Sequence, residues 1–216
     1  MTPELVIFDL DGTILDTLSD LLGAMNAALA DSGYPGHTMS EMRGFIGNGL
    51  RMMAVRAVPE GTPEAGVAKV YNFFKSYYAE HLNINTAPYP GIMQLISDLR
   101  GRGIHTAVST NKIDYGAKKL IKEHFGELIE YTLGETEGTP RKPDPAGPAR
   151  IAAFFGVKPE NCVYVGDSSV DIETARNFGC ACVAVSWGFQ DETRLISAGA
   201  ERIAHNADEL ARYLYE

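Results

Sequence analysis

Two aspartates at the end of a short apolar run constrain this chain more than any other feature of its sequence. Residues 5–8 are apolar and rich in β-branched side chains, which is typical of a buried parallel strand. Asp9 and Asp11 follow, and side chains two positions apart share one strand face. Gly12 then permits a sharp turn. Buried carboxylates must be paired, protonated or metal-bound, so the stretch predicts either a magnesium-binding nucleophile with a neighbouring acid/base or a strand–turn junction with an aspartate helix cap.

The composition is that of an ordinary globular protein with one large or two smaller domains. The 216 residues are 45% hydrophobic and 22% charged. The net charge of −9 argues against nucleic acid and against an anionic membrane, because both favour basic surfaces. The sequence contains neither a basic leader nor an apolar run of membrane-spanning length. We therefore expect a cytoplasmic protein, and leave open whether it is a monomer or a homodimer.

Apolar periodicity divides the chain into a helical block and a block of alternating strands and helices. Residues 16–83 have helical spacing and contain no strand candidate. After them, strands are predicted at 104–109, 128–133, 162–165, 180–186 and 202–204, separated by helices. We predict an α/β fold: a Rossmann-like parallel sheet with helices on both faces, formed by residues 1–15 and 84–216, and an inserted all-helical domain formed by residues 16–83.

Polar residues suited to phosphate chemistry follow four of the predicted strands. Ligands of open α/β sheets bind beyond the carboxyl ends of the strands. The residues at these ends are Asp9 and Asp11, then Thr110 and Asn111, then Lys142 in the loop after the third strand, and Asp167 with Asp171. Each also has an ordinary structural explanation: a helix cap (Thr110, Asp167), a first-turn acid (Asp171) or a solvated lysine (Lys142). One shared site explains all of them together better than four separate coincidences.

In this order the motifs resemble those of the haloacid dehalogenase superfamily. The resemblance is carried by Asp9-Leu10-Asp11-Gly12-Thr13, Thr110, Lys142 and Gly166-Asp167-x-x-x-Asp171. The inserted helical block is similar to the small helical cap of that superfamily. A finer resemblance to its phosphoglycolate phosphatase group is carried by Thr13-Ile14-Leu15-Asp16-Thr17, Ile46-Gly47-Asn48-Gly49, Thr110-Asn111-Lys112 and Lys142-Pro143-Asp144-Pro145.

The resemblance implies a phosphatase that works through an aspartyl-phosphate. Asp9 would be the nucleophile and Asp11 the acid/base. Mg²⁺ would bind the side chains of Asp9 and Asp167 and the main-chain carbonyl of Asp11. Asp171 would orient the metal ligands or Lys142. The phosphoryl group would be held by Thr110, Lys142 and the backbone amides of Leu10, Asp11 and Asn111. Mg²⁺ and Lys142 together would offset the acidic charge, so an anionic substrate is not excluded.

Substrate specificity is expected in the helical cap. Gly47, Asn48 and Gly49 would form a loop close to the site, and Arg43 or Arg51 could bind a substrate carboxylate. A surface position on a cap helix explains either arginine equally well. The joints of the cap are expected near residues 16–17 and 87–90.

The expected function is Mg²⁺-dependent hydrolysis of a small phosphorylated metabolite, with phosphoglycolate as the first candidate. Other activities of the same superfamily stay open, namely those of a nucleotidase, a pyrophosphatase, or a phosphosugar phosphatase or mutase. From another class, a non-catalytic phosphate-binding or receiver-like module also stays open, although a receiver has no cap and needs no acid/base at Asp11. We assign no chemical role to the five histidines, Trp187 or Phe189.

Overall fold

A computed structural model describes residues 2–47 and 49–215, which form eight strands and ten helices. The strands are β1 (Leu5–Phe8), β2 (Leu15–Asp16), β3 (Ala87–Pro88), β4 (His105–Ile113), β5 (Tyr131–Glu135), β6 (Cys162–Gly166), β7 (Ala181–Val185) and β8 (Ile203–Ala204). The helices are α1 (Leu18–Asp31), α2 (Met39–Phe45), α3 (Gly49–Ala57), α4 (Glu64–His81), α5 (Ile92–Gly101), α6 (Asp114–His124), α7 (Ala146–Phe155), α8 (Ser169–Phe178), α9 (Glu192–Ser197) and α10 (Ala207–Tyr215).

A six-stranded parallel sheet forms the larger unit, in the order β5-β4-β1-β6-β7-β8. All four residues of β1 are fully buried, as expected for a central strand covered on both faces. In its middle, Ile7 pairs with Ala107 of β4 and with Tyr164 of β6. Helices flank the sheet, so the predicted Rossmann-like parallel core is confirmed. Because β1 lies between β4 and β6, residues after these three strands meet at one edge.

Strand β4 extends further than its apolar run predicted. It ends at Ile113 rather than at residue 109, and its pairing with β5 shifts between Ser109 and Ile113. Gly134 of β5 allows the close approach, since a Cβ atom there would lie 2.7 Å from the carbonyl oxygen of Lys112. Its amide donates to Asp114 Oδ1 at 3.1 Å. Residues 110–112 therefore lie on a strand, beyond the end that the sequence predicted for it.

The smaller unit spans residues 17–87 and contains helices α1 to α4. Its apolar side chains recur at helical spacing, with Leu21, Met25 and Leu29 buried on α1 and with Phe74 and Tyr78 buried on α4. The expected all-helical block is thus present within the described residues. None of the described helices has the length and apolar character needed to cross a lipid bilayer.

Hydrogen bonds to the buried carboxylate of Asp20 explain where this helical unit ends. The sequence assigned residues 84–87 to the core, but they lie with the helices, because Asp20 accepts the backbone amides of Ile84, Asn85 and Thr86 at 2.9–3.0 Å. The side chains of Asn85 and Thr86 donate to the same carboxylate at 3.0 and 2.7 Å. The second boundary therefore falls at residues 87–88 rather than at 83–84.

We expect Asp20→Asn to lower the free energy of unfolding by about 2–4 kcal/mol. The NH₂ group of the asparagine would point at N–H and O–H donors of residues 84–86 that now bind a carboxylate oxygen, and these donors would lose their acceptor. Urea denaturation at neutral pH measures the loss. Asp31→Asn is the matched control: Asp31 forms an exposed ion pair with Lys69 at 3.1 Å, worth less than about 1 kcal/mol. Equal losses in the two variants would contradict this account of Asp20.

The stabilisation by Asp20 should also depend on pH. Burial opposes ionisation, but the hydrogen bonds from Thr86 and Asn85 outweigh it and lower the pKa of Asp20 below its ordinary 3.8. The ionised form is therefore favoured in the folded state, so its stabilisation is full above the unfolded-state pKa and is lost as the pH falls through the lower folded-state pKa. The difference between wild type and Asp20→Asn should shrink in that acidic window only.

Candidate active site

A tight turn after β1 presents two carboxylates at the edge of the sheet. The carbonyl of Leu10 accepts three amides of the turn at 3.1–3.3 Å, those of Thr13, Ile14 and Leu15. Gly12 has a φ of 86°, which glycine adopts without strain. The amide of Asp9 donates to the carbonyl of Val165 on β6 at 2.8 Å. The turn is thereby held against the neighbouring strand, and Asp9 lies where β1 and β6 end.

Lys142 lies between two buried carboxylates. Its Nζ is 2.8 Å from Asp9 Oδ1 and 2.7 Å from Asp171 Oδ1. Burial opposes the charge of this amine, but the Asp171 and Asp9 carboxylates outweigh it and raise the pKa of Lys142 well above its ordinary value. The side chain is 6% exposed, which excludes the alternative of a solvated loop lysine.

The segment of β4 that contains Thr110 and Asn111 holds the backbone of Lys142. Asn111 Oδ1 accepts the amide of Lys142 at 2.8 Å, and Asn111 Nδ2 donates to its carbonyl at 3.2 Å. Thr110 is buried on the strand, and its Oγ1 accepts the amide of Lys112 at 3.2 Å. Helix α6 begins four residues after Thr110, with Ile113 at its N-cap. The helix-cap explanation for Thr110 is therefore wrong.

Asp171 joins the start of α8 to Lys142. Its Oδ2 accepts the amide and the hydroxyl of Ser168 at 3.1 and 2.6 Å, and these residues form a capping box. Its other oxygen faces Lys142. Ser168 is the N-cap, so the helix-cap explanation for Asp167 is also wrong. Asp171 caps the helix and orients the lysine at once.

Asp167 occupies a narrow space bounded by backbone. Its Oδ2 accepts the amide of Phe189 at 2.7 Å, and its Oδ1 accepts the hydroxyl of Thr13 at 3.2 Å. A Cβ atom added at Gly12 or at Gly188 would lie 2.4 Å from Asp167 Oδ2. Glycine is required at both positions because any side chain there would displace the carboxylate.

The carboxylates of Asp9 and Asp167 lack sufficient positive charge around them. Burial raises the pKa of Asp9 to about 6, against the opposing attraction of Lys142. Burial also raises the pKa of Asp167 well above its ordinary value, and the Asp171 and Asp9 carboxylates add to the rise. Asp9 Oδ1 lies beside Lys142, but no donor within the described residues meets it at a hydrogen-bonding angle.

These carboxylates form a donor set that fits a metal cation. One oxygen from each of Asp9, Asp167 and Asp171 lies within 4.8 Å of the others. Hard carboxylate oxygens suit Mg²⁺ or Ca²⁺, and a cation would relieve the excess negative charge. Asp171 accepts the charged Lys142, whereas the hydrogen bonds to Asp167 come from neutral donors, the Phe189 amide and the Thr13 hydroxyl, and leave its charge in need of a cation.

The carboxylate of Asp11 is not one of the three that form this donor set, and it meets a second buried lysine. Lys112 Nζ is 2.9 Å from Asp11 Oδ1. The resemblance implies that Asp11 binds metal through its main-chain carbonyl only, and the position of its side chain is compatible with that expectation.

The predicted specificity residues lie in the helical unit. Gly47 and Gly49 have φ values of 123° and 80°, which favour glycine. Asn48 lies outside the described residues. Arg51 is on α3 and forms an ion pair with Glu64, and Arg43 is on α2. Their contact with a substrate stays a prediction.

Sequence reasoning missed the segment after β7 and the lysine beside Asp11. The Trp187 indole N–H donates to the carbonyl of Thr13 at 3.1 Å, and Phe189 binds Asp167 through its amide. The sequence alone indicates no chemical role for either aromatic residue. The segment follows the carboxyl end of a strand next to β6, so the same strand-end rule would have found it.

Comparisons with known proteins show the family to which the chain belongs. Residues 6–185 match the family model described as haloacid dehalogenase-like hydrolase. A phosphoglycolate phosphatase of Pseudomonas syringae pv. tomato is 32% identical over 193 residues, covering 87% of this chain and 71% of the relative. A crystal structure of a candidate phosphoglycolate phosphatase from Lactobacillus delbrueckii subsp. bulgaricus has a TM-score of 0.95 at 34% identity, covering 100% of this chain and 99% of that one. For a predicted phosphoglycolate phosphatase from Haemophilus somnus, the TM-score is 0.91 at 27% identity, with 99% and 98% covered.

We expect Gly188→Ala to destabilise the fold by about 2 kcal/mol or more, because the new methyl would lie 2.3 Å from Asp167 Cβ and 2.5 Å from the carbonyl oxygen of Gly12. Gly101→Ala is the matched control. Gly101 ends α5 with open space around it, so alanine there should be neutral or stabilising by about 0.5 kcal/mol. Urea denaturation compares the two. A Gly188→Ala protein as stable as wild type would contradict the tight contact with Asp167.

Proposed function

We propose that this chain, which belongs to the haloacid dehalogenase-like hydrolase family, is a phosphatase that hydrolyses small phosphomonoesters with the help of Mg²⁺. The observation that carries the proposal is the cluster of Asp9, Asp167 and Asp171 around Lys142 at the carboxyl ends of neighbouring strands. Three carboxylates and one lysine carry a net negative charge that a divalent cation would offset. With the cation bound, the cluster can bind a phosphate dianion. Mg²⁺ would be held by Asp9, Asp167 and the Asp11 carbonyl, and when bound it supplies positive charge to the phosphoryl oxygens.

In the first step, a carboxylate oxygen of Asp9 attacks phosphorus and forms an aspartyl-phosphate. The bond from phosphorus to the ester oxygen breaks, and that oxygen leaves with its electron pair. Asp11, in its protonated form, transfers its proton to the leaving oxygen, so an alcohol departs and Asp11 becomes a carboxylate. The pKa of Asp9, about 6, is low enough for the nucleophile to be mostly ionised at neutral pH.

In the second step, water attacks phosphorus of the aspartyl-phosphate. The Asp11 carboxylate accepts a proton from this water, and the bond between phosphorus and the Asp9 oxygen breaks. Inorganic phosphate is released, Asp9 is again a carboxylate and Asp11 is again protonated. Each round consumes one ester and one water.

Lys142 and Thr110 are the proposed phosphate-binding side chains. Lys142 is held in place by Asn111 and Asp171 and keeps its positive charge, which suits a group that balances the phosphoryl charge. The backbone amides of Leu10, Asp11 and Asn111 would complete the binding of the phosphoryl oxygens.

Phosphoglycolate is the proposed first substrate. The proposal rests on curated relatives about one-third identical that are named phosphoglycolate phosphatase. A substrate of this kind carries a carboxylate as well as a phosphate, and the glycine loop at 47–49 and Arg51 stay the proposed specificity residues.

We expect Asp9→Asn to abolish hydrolysis of p-nitrophenyl phosphate and phosphoglycolate, because an amide cannot act as the nucleophile. Asp11→Asn should lower kcat by about 10²–10⁴-fold, the usual contribution of general acid–base catalysis. Steady-state assays with Mg²⁺, and after its removal with a chelator, measure both effects. Asp98→Asn, an exposed change on α5, is the matched control and should leave activity unchanged.

Removal of Mg²⁺ should abolish the wild-type activity, and its return should restore it. Full activity of the wild-type protein in the presence of the chelator, or of the Asp9→Asn variant with Mg²⁺, would contradict the proposed mechanism. A protein with native circular dichroism that hydrolyses neither substrate would instead favour the non-catalytic phosphate-binding alternative.

A further inference from the structure

A second buried lysine serves the acid/base carboxylate rather than the nucleophile. Lys112 Nζ lies 2.9 Å from Asp11 Oδ1, and the two side chains are 3% and 16% exposed. Lysine is among the residues least often buried, and an ammonium group removed from water needs a partner. The closeness and burial of the pair indicate that the lysine holds this oxygen in place.

The backbone of β4 brings Lys112 to this position. Its amide donates to Thr110 Oγ1, and the register shift between β4 and β5 covers this part of the strand. Alternating side chains point to opposite faces of a strand. Accordingly, Asn111 holds the backbone of Lys142, whereas Lys112 meets Asp11. One short segment of β4 therefore contacts both Lys142 and Asp11.

The two buried lysines contact different carboxylates. Lys142 contacts Asp9 and Asp171, and Lys112 contacts Asp11. Asp9 and Asp11 are two residues apart in the chain, yet each meets a different cation.

We propose that Lys112 is a positioning residue that fixes the Asp11 carboxyl group in the orientation needed to transfer a proton to the leaving oxygen. The inference rests on the proposed phosphatase function. Proton transfer requires the acid to lie within hydrogen-bonding reach and in line with the oxygen, and a displacement of about 1 Å can cost about 10²-fold in rate. Lys112 acts through Asp11 and need not touch the substrate.

The test compares phenyl phosphate with p-nitrophenyl phosphate, two substrates of similar shape. Phenolate is a much stronger base than p-nitrophenolate, so its departure depends much more on a proton from Asp11. The ratio kcat/KM reports the steps up to the first irreversible one, here formation of the aspartyl-phosphate, and so isolates the step in which Asp11 acts as an acid.

We expect Lys112→Met to lower kcat/KM for phenyl phosphate about tenfold or more and for p-nitrophenyl phosphate less than about twofold. Asp11→Asn should show the same selectivity, only larger. Lys112→Arg keeps the charge and several donors, and should recover much of the loss. Lys118→Met, on the exposed face of α6 where Lys118 pairs with Asp114, is the matched control and should change neither value.

The outcomes separate this inference from the proposed function. An equal loss for both substrates in Lys112→Met, alongside a selective loss in Asp11→Asn, would overturn the role of Lys112 and leave the phosphatase intact. No selectivity in Asp11→Asn would overturn the acid role of Asp11 and with it that of Lys112. If Lys112→Met fails to fold, as judged by circular dichroism, Lys112→Gln keeps a donor without the charge and decides the question by the same comparison.

Discussion

The interaction on which the rest of this structure depends is the crowding of buried carboxylates around too few positive charges. Asp9 and Asp171 share one lysine, Asp167 lies beside them, and burial raises the pKa values of Asp9 and Asp167. Uncompensated charge inside a protein is costly, so such a cluster persists only where something binds it. In the proposed function a divalent cation relieves the imbalance, and the same cation allows an acidic protein to bind an anionic substrate. The energetic cost of the cluster without metal and its proposed activity with metal therefore follow from the same arrangement of carboxylates.

The fold keeps these charges in place mainly through backbone groups. Oxygens of Asp167 are bounded by Gly12 and Gly188, and Asp171 is tied to the start of α8 through Ser168. Asn111 in turn holds the main chain of Lys142. Asp9 thus follows β1, Asp167 and Asp171 follow β6, and Lys142 is held by Asn111 of β4, so a change after one strand is transmitted to the others through shared charges. This explains why substitutions distant from the reacting atoms are expected to alter the site.

Much of the fold and of the charged cluster could be predicted from the sequence, because continuous apolar runs mark buried strands and functional groups follow their carboxyl ends. The local details could not. Hydrogen bonds donated to Asp20 by residues 84–86 place the end of the helical unit at residue 87, and apolar periodicity does not detect them. The extension of β4 depends on the approach of Gly134, a contact between strands distant in sequence. Lys112 belongs to one of the motifs that carry the family resemblance, but its role does not follow from the sequence because a lysine is ordinarily solvated, and that of Phe189 does not because it contributes an amide rather than a side chain.

We infer that the carboxylates of Asp9 and Asp167 bind one divalent cation. Diffraction data collected at the manganese absorption edge, from crystals grown with Mn²⁺ in place of Mg²⁺, test it most directly. We expect an anomalous peak about 2.0–2.3 Å from a carboxylate oxygen of each residue. Well-ordered Asp9 and Asp167 side chains with no anomalous peak between them, at a saturating concentration of Mn²⁺, would contradict it.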